Sequence, residues 1–188
     1  MTTANDLMDH AAGAVAFATV GVISTTQEVA GTILASLPDA DPELVLEETL
    51  CLVATATARA IEVGLQHKEE VAAAVAPAVL NLPYASRDYV VGMAMVAEGD
   101  GTLLERSEAV YARLSRKQQF YMVHLPARRF PGPRALQDKM ELWMGRVSPP
   151  GLAEPPSDRL ARLSLVALVQ THLRLMLTYA RRMAVAGA

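Results

Sequence analysis

Residues 8–33 read MDHAAGAVAFATVGVISTTQEVAGTI. Met8, Val15, Val22 and Val29 recur every seven residues, and Ala12, Thr19, Thr26 and Ile33 follow them by four. At about 100° per residue both rows fall on one face of a helix. Ala11, Ala14, Ala18 and Gly21 beside these rows are small, so a neighbouring backbone can come close. The spacing predicts a helix over 5–36 with a coiled-coil-like seam. Two partners suit such a seam: another helix of the same chain, or the same face of a second copy, giving a homodimer through residues 8–33.

Working outward, helix signals recur and strand signals do not. The one Asp-Gly pair, Asp100-Gly101, sits between helical patterns and not between alternating runs. Helices are expected at 5–36, 42–66, 68–81, 84–98, 102–124, 133–147 and 157–185. The breaks have local causes: Pro38, Asp41 as N-cap ahead of Pro42, Pro83, Gly99-Asp100-Gly101, Pro126 to Pro133, and the run 148–156. Pro77 is expected to end or kink the third helix, and the second and third are close enough to form one bent helix. The fold class is therefore all-α, a single-domain bundle of about seven helices with no sheet. Residues 1–147 form the bundle core, 148–156 a stiff Pro-rich linker, and 157–188 a C-terminal core helix free to pack at a distance or on another subunit. In that last helix Leu165, Leu168, Val169, Leu175, Met176, Tyr179 and Met183 spread around more than half the circumference. It is expected at the centre of the core, with Arg159, Arg174, Arg181 and Arg182 on a wet edge.

The chain has 188 residues, 52% of them apolar and 20% charged, which supports one packed core and excludes wholesale disorder. A single cysteine, Cys51, excludes a disulfide-stapled scaffold, and no basic or histidine neighbour marks it as reactive. No secretory signal is read, because the first basic residue is Arg59; the longest uncharged run, 11–27, is too polar to span a membrane. A cytoplasmic protein is the expectation. The net charge of −3 hides an asymmetry: residues 1–100 hold 3 basic and 14 acidic side chains, and residues 101–188 hold 14 basic and 6 acidic. Such halves either attract each other within the fold or leave a charged surface for a partner.

Residues 111–147 concentrate the positive charge. Arg113, Arg116, Lys117, Arg128, Arg129, Arg134, Lys139 and Arg146 face only Asp138 and Glu141, and five of the nine aromatics, Tyr111, Phe120, Tyr121, Phe130 and Trp143, lie here. Guanidinium groups grip phosphate or carboxylate bidentately and rings stack, a combination suited to an anionic partner, protein or nucleic acid. Arg113, Arg116, Lys117, Arg128, Arg129, Phe130, Arg134 and Trp143 are the candidate binding residues. The overall acidity, with a sequence pI near 5.8, counts against nucleic acid.

Two carboxylate pairs, Glu105-x-x-Glu108 and Asp138-x-x-Glu141, lie on consecutive helices. This layout resembles the metal-binding pairs of all-α nucleotide pyrophosphohydrolases of the MazG type, which hold magnesium against a triphosphate; here the second pair is inverted in type. The resemblance implies Mg held by Glu105, Glu108, Asp138 and Glu141, with Arg128 and Arg129 on the phosphates. Helical projection puts both pairs opposite the apolar faces of their helices, toward solvent. The stretch 97–105, with its Asp-Gly turn before a Glu-bearing helix, is similar to the acidic loop of tellurite-resistance B-type helical domains. An EF-hand fails, since Glu105 and Tyr111 stand where Gly and Glu are required.

The histidines His10, His67, His124 and His172 form no HxxxH, HExxH or Glu-x-x-His pattern, and the CxxCH of a c-type haem is absent. His172, on the apolar face of the last helix, reads as a hydrogen-bonded core residue whose burial lowers its pKa; His172 or His124 with a Met is the alternative, a b-type haem pair. The preferred reading is a non-enzymatic interaction or regulatory protein, with no cofactor, that binds an anionic partner through 111–147. The alternatives are a metal-dependent phosphohydrolase and a ligand-sensing bundle with an apolar pocket around Trp143, Tyr121 and His172.

Overall fold

The computed structural model describes residues 4–66, 69–98, 103–125, 129–136, 146 and 159–186, with side-chain environments at 11–66, 69–89, 92, 93, 96, 108–125, 129–136, 146 and 165–182. Seven helices and no strand occur among the described residues. They are α1 (Ala4–Ser36), α2 (Pro42–Gly64), α3 (Glu69–Leu80), α4 (Leu82–Glu98), α5 (Leu103–His124), α6, described at 133–136, and α7 (Arg159–Ala186).

Local chemistry sets the helix ends. The Asp41 carboxylate accepts the Glu43 and Leu44 N–H groups at 2.9 and 3.4 Å, and Pro42 occupies the first position of α2, where no N–H is needed. α2 and α3 are separate helices and not one bent helix: the Leu65 N–H closes the last turn of α2 on the Ile61 carbonyl, and α3 starts afresh at Glu69. Pro77 does not end α3, which runs on to Leu80 with Pro77 on its exposed side. Pro83 falls inside the first turn of α4 and does not precede it, because the Asn81 carbonyl already takes the Tyr84 and Ala85 N–H groups at 3.1 and 2.9 Å. The linker 148–156 lies outside the described residues.

The central helix is α2. Buried residues surround it, among them Cys51, Leu52, Val53, Ala54, Thr55, Ala56, Thr57, Ala58 and Ala60, and α1, α3, α4, α5 and α7 all pack on it. Its run of alanines and threonines makes this possible, since small side chains keep the surrounding helices close to one axis; Thr57 turns its hydroxyl back to the Val53 carbonyl at 2.7 Å, while the buried hydroxyls of Thr49 and Thr55 have no hydrogen-bond partner. α7, expected at the centre, instead contributes one face. Leu165, Val166, Val169, Leu173, Met176, Leu177 and Ala180 are buried, Arg174, Arg181 and Arg182 are exposed, and Leu175 faces solvent as well.

From Val15 to Ile33 the seam of α1 is turned into the chain; Ala12 is exposed, and the side chain of Met8 lies outside the described residues. Val22, Thr26, Val29 and Ile33, with Ala14 and Ala18, are buried in the contacts that α1 makes with α2, α3 and α7. Gly21 permits the closest of these approaches, since a Cβ there would stand 2.6 Å from the Met176 methyl. The core divides into two clusters along α2. One joins the later part of α1 to α5 and the start of α7; the other joins the earlier part of α1 to α3 and the end of α7. Phe130, from the segment before α6, packs against both.

Candidate functional site

Two consecutive carboxylates near the start of α2, Glu47 and Glu48, organise the charged part of the molecule. Consecutive helix positions point about 100° apart, so the two serve different neighbours. Glu47 takes Arg113 from α5 through both oxygens, at 3.0 and 2.6 Å, and Lys117 at 2.8 Å. Burial pushes the Glu47 carboxyl up, but the hydrogen bonds and charges of Arg113 and Lys117 outweigh it, and its pKa is lowered. The same bonds raise the pKa of Arg113.

Glu48 points inward and is 2% exposed. It accepts the Tyr121 hydroxyl at 2.6 Å and a guanidinium fork from Arg146 at 2.9 and 2.8 Å, with Lys117 at 3.6 Å. Arg146 lies over the Phe120 ring, 4.2 Å from its centroid, so the cation is stacked as well as paired. Burial, together with the adjacent Glu48 charge, holds the Tyr121 phenol well above its usual range; the Glu48 bond raises the pKa of Arg146. Cys51, one turn beyond Glu47, is pushed up to about 12 by burial and by Glu48, which keeps it an inert thiol.

Glu47 also lines a cleft of about 590 Å³ between α1, α2, α4 and α5. Its walls are mainly apolar: Ile23 from α1, Pro42, Leu46 and Leu50 from α2, Pro83 from α4 and Leu114 from α5. Ile23 and Leu46 are 43% and 46% exposed. Six polar side chains interrupt the apolar surface: Thr26, Gln27, Glu43, Glu47, Ser86 and Arg87. Thr26 is 3% exposed and its hydroxyl has no hydrogen-bond partner; the Nε of Arg87 has none either. Volume and lining fall in the range of small-molecule sites.

Of the residues singled out in 111–147, Arg113, Lys117 and Arg146 are engaged by carboxylates of the acidic half, so the charge asymmetry is spent there within the fold. Lys117 is buried. Arg116, Arg129 and Arg134 are exposed, and Phe130 is a half-buried core contact. Arg128, Lys139 and Trp143 lie outside the described residues, as do Asp138 and Glu141 and the side chain of Glu105; Glu108 is exposed. No group of three or more potential metal ligands occurs among the described residues.

His172 and Tyr121, expected beside an apolar pocket, are instead sealed in the core and do not line the cleft. His172 Nε2 is 2.8 Å from the Thr57 hydroxyl, and burial lowers its pKa to about 4. The single Thr57 proton is donated to the Val53 carbonyl, so Nε2–H is the donor to Thr57 and the ring is neutral.

Sequence reasoning missed Glu47, Glu48, Arg87 and the cleft. The one available signal was an adjacent acidic pair at the head of a helix that then runs uncharged through Ala58. No helix among the described residues is long and apolar enough to cross a membrane. Comparison of the chain with protein-family models, with curated proteins and with solved structures finds no match.

Proposed function

We propose that this chain is a non-enzymatic ligand-binding helical bundle, and that the cleft between α1, α2, α4 and α5 is its binding site. The carrying observation is the cleft itself: about 590 Å³ walled by Ile23, Leu46, Leu50 and Leu114, with most of its surface apolar. Ile23 and Leu46 leave apolar surface facing solvent, and a bound apolar molecule would cover it. The Glu47–Arg113–Lys117 ion pairs brace α2 against α5 behind the cleft, so the walls are held before a ligand arrives. This is the ligand-sensing reading with its pocket moved away from Tyr121 and His172.

The test is calorimetric titration with straight-chain C8–C12 amphiphiles below their micelle concentrations, on the wild type and on Leu46→Asp. Leu46 is half-exposed, so the substitution leaves the core intact while placing a charge on an apolar wall. Saturable binding that weakens at least tenfold in the variant is expected; absence of saturable binding by any chain refutes the reading.

A second reading rests on Arg116, Arg129 and Arg134, which are exposed and form no ion pair with a described residue; these would carry an anionic macromolecular partner. A homodimer through residues 8–33 would use the outward Phe17, Val20 and Ile23, because the inward seam is occupied. The buried, reduced Cys51 suits a cytoplasmic setting.

A further inference from the structure

We propose that the ligand of this cleft is a monocarboxylate amphiphile whose carboxylate docks on Arg87. The inference rests on the cleft being a binding site and adds the chemistry of its occupant. Three guanidinium groups surround the head of α2. Arg113 holds Glu47 through Nε and Nη2, at 3.0 and 2.6 Å, and Arg146 holds Glu48 through the same two nitrogens at 2.9 and 2.8 Å. Each of these forks is filled by a carboxylate. Arg87, on α4, lines the cleft, and its ion pair with Glu43 is 3.7 Å long, beyond hydrogen-bond distance. Its Nε is enclosed and has no partner. The Arg87 side chain is 28% exposed although its Nε is closed off, so a carboxylate in the cleft meets the terminal nitrogens of the guanidinium, whose ion pair with Glu43 is the long one.

The other charges in the cleft decide the sign and number of charges on the ligand. Glu47 is satisfied by Arg113 and Lys117, and Glu43 is shared between Arg113 at 3.4 Å and Arg87. A cationic ligand would have to displace arginines from both. A dianion such as a phosphate monoester would meet Glu43 and Glu47 across the same cleft and be repelled. A single negative charge, exchanging with the exposed Glu43 at Arg87, meets neither obstacle.

The experiment is calorimetric titration of the full chain with decanoate, decanol and decylamine at pH 7.5. Wild type is expected to bind decanoate at least tenfold tighter than decanol. Arg87→Gln should erase that difference while leaving decanol binding unchanged, and Arg87→Lys, which keeps the charge but offers one nitrogen where the guanidinium offers two, should restore only part of it. Far-UV circular dichroism and the decanol affinity of each variant report whether the cleft is still folded. Equal binding of decanoate and decanol by wild type overturns the carboxylate proposal and leaves the cleft standing; tightest binding of decylamine overturns it in favour of Glu43. Failure of all three probes removes the binding site as well.

Discussion

Replacing Glu48 by Gln keeps the shape of the least exposed charged side chain among the described residues and removes only its charge. In the wild type, Glu48 accepts one bond from Tyr121 and two from Arg146, with Lys117 nearby. A hydrogen bond to a charged group contributes about 1.5–3 kcal/mol, and breaking a buried ion pair from one side costs about 3–5 kcal/mol. Two features lower the expected loss. Lys117 keeps Glu47 at 2.8 Å, and Arg146 is 31% exposed, so water can serve its guanidinium. The amide oxygen of Gln can also retain one of the three bonds. A destabilisation of about 3 kcal/mol follows, equivalent to a fall in Tm of roughly 6–12 °C for a chain of this size. Urea unfolding followed by far-UV circular dichroism measures it, with an unchanged m-value showing that the native and denatured states keep their compactness. Tyr121→Phe should cost about 1–2 kcal/mol alone and clearly less on the Glu48→Gln background, because both remove the same bond. A Glu48→Gln protein within about 0.5 kcal/mol of wild type, or strict additivity with Tyr121→Phe, would refute the claim that this carboxylate ties α2 to α5 and Arg146.

His172 has its pKa lowered from 6.5 to about 4 by burial, so between those values the unfolded chain takes up a proton that the folded chain refuses. Stability should therefore fall as pH drops from 6.5 toward 4, by up to about 3 kcal/mol, and His172→Gln should flatten that slope in urea midpoints collected across the range. For the anionic-partner reading, Arg129→Ala combined with Arg134→Ala should reduce retention on an anionic matrix and its salt dependence; retention equal to that of wild type counts against it.

Most helix boundaries were legible because their causes are local. Asp41 and Pro42 begin α2 through contacts within one turn, and the apolar period of α1 marks its buried face whatever covers it. Pro77 and Pro83 do not set helix ends, for two different reasons: Pro83 stands in the first turn of α4, where no N–H bond is lost, and Pro77 stands on the exposed side of α3, where water can serve the Ala73 carbonyl it leaves unbonded. The centrality of α2 over α7 was not legible. A helix rich in Ala and Thr carries a weak hydrophobic signal, yet small side chains are what allow several neighbours to crowd one axis.

The sequence by itself determined that this protein is a helical bundle, that its two halves are oppositely charged, and that residues such as Val22 and Ile33 belong to a packed face. Only the tertiary structure decided which arginines remain on the surface and where the cleft lies. Glu47 meets Arg113 across 66 positions, and Glu48 meets Arg146 across 98. The period of a helix says which side of it is buried but not which neighbour lies against that side or at what rotation. Charge pairing and cavity shape depend on those two quantities, so they emerge only when the helices are packed.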